Sequence, residues 1–352
     1  EGGIELLHRS AIWAPPVDKD DPLRWTRSMR MLQLPNVEGF QPQSWVPRMS
    51  ASYTTISMRL IDAFDNIGPL FDAVKEHEGA WKNSLIGWET DPYGPQVNVR
   101  KEFVENLGDR ITVITAYDMP ISAESERAVF AIEAANEKAL AETLAKWLSR
   151  EPEWVRRQIG QYEVWEKLPP REEKAPEIPG VIILQSEFED ETDDDGRERV
   201  LPSSAVTVAL GHLMSASDVA ILEAIIEGFG QHERLDSSAD YMQVMAALRR
   251  VAPGDHSAIH FGRLDEEMRP TFELVRQNKM PEAKTMLGKF LNNLLTTETQ
   301  REKGEVREQR IDGGKLPNFE AVRRYFGPHG RVTRSDQDGW VITGAVLNKE
   351  AP

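Results

Sequence analysis

Histidine and acidic side chains come together at one short stretch of the sequence, formed by Asp255, His256 and His260. Imidazole nitrogens and carboxylate oxygens are the common ligands of zinc, so these residues are a first candidate for a metal site. The stretch is predicted to be a strand, where His256 and His260 would lie on the same face. Positions four apart on a strand are about 13 Å from each other, so the two imidazoles would not reach one ion. The spacing therefore favours ordinary, partly exposed histidines.

An acidic segment offers oxygen ligands instead. Glu191, Asp193, Asp195 and Gly196 match positions one, three, five and six of a calcium-binding loop. The match is incomplete, because position one is Glu and position twelve is Pro202, where a bidentate Glu is needed. Glu191, Asp193 and Asp195 are therefore candidate calcium ligands, and a solvated acidic loop is the competing interpretation.

Three tryptophans lie in or beside an irregular N-terminal region that is rich in proline. Trp13, Trp25 and Trp45 could act as aromatic anchors for a partner. Large aromatic side chains are also well suited to filling a core beneath long loops. The sequence leaves both interpretations open.

Most catalytic signatures are missing from the chain. It contains no cysteine, which removes thiolate catalysis, disulfides and Cys-ligated metal sites. It also lacks the nucleophile elbow, the phosphate loop, the zinc-protease pair of histidines and the dinucleotide-binding turn. We therefore assign no catalytic residue and no cofactor from the sequence, which favours a non-enzymatic protein.

The charge of the chain restricts its partners. The formal net charge is −16 and the isoelectric point is near 5.0, so the surface repels phosphate backbones. We expect no nucleic-acid binding. No apolar run approaches the roughly 18 residues that span a bilayer, so no transmembrane segment is predicted in this chain. The chain starts directly in strand-like sequence without a Met, and we expect a truncated or processed product.

The elements that must position these residues follow a recurring pattern. Four times, one or two short apolar strands are followed by an amphipathic helix, and Asn136 and Ser217 stand at predicted helix N-caps. The chain closes with a hairpin whose strands, 330–333 and 340–347, flank an Asp-Gly turn. These units predict an α+β fold of mostly antiparallel sheets with helices on one face, in two lobes. The four predicted units are 52–58 with 61–77, 127–133 with 136–150, 205–216 with 218–228, and 257–264 with 266–277.

A segment rich in proline and charge divides the chain. We predict an N-terminal α+β lobe over 1–168 whose start is truncated, a linker over 169–180, and a C-terminal α+β lobe over 181–352 that ends in the hairpin.

Two segments resemble an exported bacterial family catalogued as domain of unknown function 3352. They are 97–115 (VNVRKEFVENLGDRITVIT) and 205–225 (AVTVALGHLMSASDVAILEAI). The chain is more similar still to hypothetical proteins of planctomycete-type bacteria. The matching pieces are 30–35 (RMLQLP), 41–48 (QPQSWVPR), 83–95 (NSLIGWETDPYGP), 276–288 (RQNKMPEAKTMLG), 315–327 (KLPNFEAVRRYFG) and 338–344 (DGWVITG).

The resemblance implies a location and leaves the activity open. It implies an exported protein of the periplasm or cell envelope, and it carries no catalytic residue to this chain. We therefore predict a non-enzymatic structural or interaction protein with a protein partner or a larger assembly. Two alternatives stay open: a carrier of a small molecule or lipid, and a hydrolase that uses carboxylates or a metal.

Overall fold

A computed structural model describes residues 3–18, 20, 24–168, 204–231, 233–280, 309 and 311–349. Within these ranges the chain forms one sheet of eleven strands, in the order β1-β11-β10-β9-β2-β3-β4-β8-β7-β6-β5, and every neighbouring pair is antiparallel. The strands are β1 (Ile4–Trp13), β2 (Ser52–Ser57), β3 (Leu107–Tyr117), β4 (Glu126–Ala134), β5 (Trp154–Ile159), β6 (Tyr162–Lys167), β7 (Ala205–Ala209), β8 (His212–Ala216), β9 (Ala258–Arg263), β10 (Pro328–Asp336) and β11 (Gly339–Leu347).

Helices connect many of the strands. They are α1 (Leu60–Asn66), α2 (Gly68–Val74), α3 (Ala80–Thr90), α4 (Glu137–Leu148), α5 (Val219–Gly228), α6 (Ala239–Val251), α7 (Leu264–Arg276) and α8 (Phe319–Arg323). Among the described residues, no helix combines the length and the apolar composition needed to cross a bilayer.

The largest core lies between one face of the sheet and helices α5 and α6. Tyr53 of β2, Phe261 of β9 and Val332 of β10 point into it, together with Val244 and Leu248 of α6. Each large apolar side chain that is fully buried there contributes about 1.5–3 kcal/mol. We call this side of the sheet the α6 face.

Helices α4 and α7 pack on the opposite face. Val208 of β7 and Trp165 of β6 pack against α4, while their chain neighbours Ala209 and Val164 belong to the core of the α6 face. Successive residues of a strand point to opposite sides, so α4 lies across the sheet from α5. The same alternation puts α7 opposite α6, because Gly262 faces α7 and Phe261 faces α6.

The prediction of a mixed α+β fold with mostly antiparallel strands is confirmed. The helices, however, are distributed over both faces, whereas the sequence-based expectation placed them on one. The amphipathic pattern of a helix indicates that one of its sides is buried, but it does not indicate which face of a sheet that side covers.

The predicted linker, 169–180, lies outside the described residues, and the division into two lobes stays a prediction. Strands from both sides of the linker are neighbours in the sheet, since β2 pairs with β9 and β4 pairs with β8. The two predicted lobes therefore contribute to one sheet.

One predicted helix cap is present and the other is wrong. The Asn136 side chain accepts a hydrogen bond from the Ala139 backbone N at the start of α4, as expected. At α5 the cap is Asp218, which accepts from the Ala220 backbone N. Ser217 instead accepts a hydrogen bond from the backbone N of Ala128 on β4, because it still belongs to the strand side of the turn.

Candidate functional site

Two histidines lie side by side on the α7 face of strands β9 and β10. In the register of this pair His260 is opposite Arg331 and Gly262 is opposite His329, so the two imidazoles are diagonal neighbours. Their ring centroids are 5.1 Å apart. His256, which the sequence places beside His260, lies before β9 in an isolated bridge with Val37 and is not part of this pair.

Helix α7 adds a carboxylate to the two imidazoles. Glu267 lies in the first turn of the helix, and its Oε2 is 2.5 Å from His329 Nε2, which is a short hydrogen bond. Its Oε1 is 3.7 Å from His260 Nε2, beyond hydrogen-bonding distance. We call His260, Glu267 and His329 the histidine–glutamate cluster.

Gly262 provides the space for this cluster. A Cβ atom at this position would lie 2.2 Å from Glu267 Oε2 and 2.5 Å from His329 Nε2. Contacts this short do not occur, so any side chain at residue 262 would displace the carboxylate or the imidazole.

Thr54 orients the deeper imidazole from the neighbouring strand. It lies directly across from His260 in the β2–β9 register, and its Oγ1 is 2.8 Å from His260 Nδ1. A hydrogen bond at Nδ1 fixes the ring plane and leaves Nε2 directed towards Glu267 and His329.

The electrostatics of the cluster favour a neutral imidazole at His260. Burial is the main cause that lowers the pKa of His260 to about 3, and the positive charge of Arg331 and the neighbouring His329 lower it further. At physiological pH the neutral ring therefore has one nitrogen with a free lone pair and one N–H group that can donate a hydrogen bond.

The cluster has the donor set of a metal site. The three ligand atoms lie within 4.8 Å of one another, and this is the one such group of histidine and acidic residues in the described part of the chain. Two imidazole nitrogens and one carboxylate are a common set for zinc.

The same residues also bear on the hydrolase alternative. Thr54, His260 and Glu267 have the residue types of a hydroxyl, base and orienting carboxylate. The 3.7 Å distance between His260 Nε2 and Glu267 Oε1 is too long for the carboxylate to orient the base, and Glu267 is hydrogen-bonded to His329 instead. The geometry therefore fits ligand binding better than an activated nucleophile. The hydrolase and carrier alternatives stay predictions.

The outer edge of β1, which is the end strand of the sheet within the described residues, is a second candidate, for protein contact. Trp13 is 78% exposed and Leu7 is 46% exposed, and Leu6 and Ile12 are exposed as well. Ten residues of extended chain thus present large apolar side chains at one end of the sheet. Exposed apolar edge strands are templates for pairing with another chain.

The backbone of β1 defines which residues point outward. The Ala14 N–H donates to the Asp338 carbonyl at the end of the β1–β11 ladder. The even-numbered residues of β1 therefore direct their N–H and C=O groups to β11. Because hydrogen-bonding direction alternates along an antiparallel strand, Leu7, Arg9 and Ala11 direct their N–H and C=O groups to the free edge.

The opposite end of the sheet is protected against such pairing. Strand β5 is six residues long and carries arginines at its centre. Arg156 forms an ion pair with Glu163 of β6, and Arg157 forms another with Glu166. Short, charged edge strands are a standard means of preventing sheet-to-sheet association.

Of the three candidate tryptophans, two belong to the interior. Trp45 is 1% exposed, with its ring centroid 5.4 Å from that of His212. Trp25 is buried, stacks on Trp340 at 5.1 Å and donates from Nε1 to the Ala14 carbonyl. Their indoles pack inside this structure, and a contact with a partner stays a prediction for the exposed Trp13. The candidate calcium ligands Glu191, Asp193 and Asp195 lie outside the described residues.

Comparison with known proteins adds little. Neither a protein-family model nor a curated protein matches the sequence. Two solved structures with some similarity are crystal forms I and III of TP0453, with TM-scores of 0.33 and 0.34 and sequence identities of 7% and 8%. The alignments cover 90% of this chain and 82% and 83% of that chain. Similarity at this level carries no argument about function.

Proposed function

We propose that this chain is a non-enzymatic interaction protein, exported or associated with the cell envelope, that assembles by pairing its β1 edge with β1 of a second copy. The exported location is supported by the resemblance of residues 97–115 and 205–225 to an exported family. The mode of assembly is supported by the exposed apolar edge of β1.

The contrast between the two ends of the sheet carries the assembly proposal. Strand β5 is short and guarded by arginines, whereas β1 is long and leaves Leu6, Leu7, Ile12 and Trp13 exposed. Burying these apolar side chains against another sheet edge would stabilise an assembly, at about 25 cal/mol for each Å² removed from water.

A second copy of β1 is the partner that fits the backbone of the strand. From Leu6 to Trp13 the strand follows β11 without a bulge, so Leu7, Arg9 and Ala11 offer a regular edge to a second copy. The outward-pointing N–H and C=O of Leu7 would meet the same groups of the second copy and form two hydrogen bonds at the centre.

Sedimentation velocity over a concentration series tests this assembly. We expect the wild-type chain to form dimers, and Leu7→Lys to be monomeric because it places two ammonium groups opposite each other at the centre. Val155→Lys is the matched control, since Val155 is 38% exposed on the other edge strand, and we expect it to dimerise like the wild type. A wild-type chain that stays monomeric, or a Leu7→Lys variant that dimerises normally, would contradict pairing through β1.

The location is tested separately by fractionating the native cells and detecting the chain with an antibody. We expect it in the periplasmic or envelope fraction. Recovery with the cytoplasmic enzymes would refute the exported location and leave the assembly result intact.

A further inference from the structure

We infer that His260, Glu267 and His329 form a binding site for a divalent transition-metal ion of the zinc class. The inference does not depend on the proposed assembly, because the cluster lies on β9, β10 and α7 and not on the β1 edge. It rests on the convergence of three ligand side chains, on Gly262, which leaves space for them, and on Thr54, which orients His260.

The donor atoms select the class of ion. Two imidazole nitrogens with a single carboxylate suit Zn²⁺, Co²⁺, Ni²⁺ or Cu²⁺. Ca²⁺ and Mg²⁺ prefer sets composed almost wholly of oxygen ligands, so they are poor candidates here. Three protein ligands leave a fourth tetrahedral position for water or for a group from a partner.

The distances are close to those of an occupied site. With metal–ligand bonds of about 2.0–2.1 Å, neighbouring ligand atoms of a tetrahedral ion lie roughly 3.3 Å apart. His260 Nε2 is 3.7 Å from Glu267 Oε1, whereas His329 contacts the other oxygen, so a carboxylate bound through one oxygen must turn to present it to both imidazoles. His329 Nε2 and Glu267 Oε2 are 2.5 Å apart. Their hydrogen bond must open by roughly 1 Å to reach that separation.

The surroundings support the three ligands. Gly262 lacks the Cβ atom that would collide with Glu267 and His329, so the strand leaves a space where the donors meet. Thr54 Oγ1 is hydrogen-bonded to His260 Nδ1 at 2.8 Å, which leaves Nε2 directed towards Glu267 and His329. Metal-bound histidines commonly have their other ring nitrogen fixed by a hydrogen bond in this way.

The competing interpretation is a polar cluster held by hydrogen bonds alone. The bond between His329 and Glu267 already satisfies two of the three groups, and Arg331 adds a positive charge opposite His260. This interpretation predicts no specific ion uptake, so the two are separated by measuring metal binding.

The experiment titrates the full chain, without an affinity tag, with Co²⁺ followed by visible absorption and with Zn²⁺ followed by calorimetry. We expect a single ion per chain and the intense absorption of tetrahedral Co²⁺. His329→Ala and Glu267→Gln should each weaken binding at least about 100-fold, and Thr54→Val, which removes only the supporting hydroxyl, about 10-fold. His256→Ala is the control, because this histidine is outside the cluster, and it should bind like the wild type.

Circular dichroism and thermal unfolding of each variant establish that it is folded, and Glu267→Gln keeps the shape of the side chain in case His329→Ala does not fold. The metal site would be refuted if the wild type showed no saturable uptake of Co²⁺ or Zn²⁺. Equal affinity of wild type, His329→Ala and Glu267→Gln would also overturn it, since the ion would then be bound elsewhere.

Discussion

Arg263 joins the end of strand β9 to the start of helix α6. Its Nε is 2.6 Å from Asp240 Oδ2 and its Nη2 is 3.1 Å from Oδ1, a two-point ion pair in which both side chains are mostly buried. The same guanidinium donates to the Ser50 carbonyl. Bidentate pairs of this kind combine charge with fixed geometry and are stronger than ordinary surface pairs.

Replacing Asp240 by Asn should therefore destabilise the fold. We expect Asp240→Asn to lower the free energy of unfolding by about 1–3 kcal/mol near neutral pH, because Arg263 loses its charged partner. Urea unfolding measures the difference. The control is Asp118→Asn, whose ion pair with Arg127 leaves Asp118 largely exposed, and we expect a loss below about 1 kcal/mol.

The stabilisation by Asp240 should also depend on pH. Burial acts to raise the pKa of Asp240, but the hydrogen bonds and charge of Arg263 outweigh it and hold this pKa below its ordinary value. A carboxyl with a lowered pKa in the folded state stabilises the fold above its unfolded pKa of about 3.9 and loses that contribution as pH falls through the folded value. The difference between wild type and Asp240→Asn should shrink below about pH 4, and a difference independent of pH would contradict this assignment.

The histidine–glutamate cluster shows what a sequence can and cannot indicate at the residue scale. His260 was recognisable as a possible ligand, but the sequence suggested His256 as its partner, which strand geometry excludes. The actual partners are far away in the chain, since His329 lies 62 residues beyond Glu267. The pairing of β9 with β10 brings His260 and His329 together, and no local spacing in the sequence indicates how these two strands are aligned.

At the scale of elements, Asn136 is a cap that both sequence and structure identify. Its Oδ1 accepts from the Ala139 N–H at 3.2 Å and satisfies one of the free backbone donors at the start of α4. We expect Asn136→Ala to lower the free energy of unfolding by about 1 kcal/mol, measured by chemical denaturation. Asn136→Asp keeps the acceptor and should retain the wild-type stability. Equal losses in both variants would mean that the cap bond is not the cause.

The local sequence pattern predicts some elements of this chain and misses others. The strand-like start of the chain and the Asp-Gly turn near its end predict β1 and the C-terminal hairpin, and the structure has both. Helix α6 was not predicted, although Tyr241, Val244, Met245 and Leu248 repeat at helical spacing and are all buried. This helix precedes a predicted strand instead of following one, so it did not fit the expected strand–helix unit.

At the scale of the whole molecule, pairings between distant parts of the chain create the sheet. Ser52 lies opposite Gly262, and Trp13 lies opposite Gly339. Neither pairing has a local signature, because strand register over such separations is set by burial in the folded protein. This explains why two lobes were expected from the chain order while one sheet contains strands from both.

The same topology leaves β1 at one end of the sheet, which is the basis of the proposed assembly. Since the chain contains no cysteine, a single introduced cysteine reports on this edge without interference. Residues directly opposite in a hydrogen-bonded antiparallel pair have Cα atoms about 5.5 Å apart, within the range that a disulfide bridges.

The most direct test is mild oxidation of Leu7→Cys, followed by electrophoresis without reductant. Pairing of two β1 strands about Leu7 predicts rapid formation of a disulfide-linked dimer that reductant dissolves, whereas Val155→Cys on the other edge strand stays monomeric. If Leu7→Cys forms a disulfide-linked dimer no faster than Val155→Cys, pairing of β1 with a second copy is contradicted.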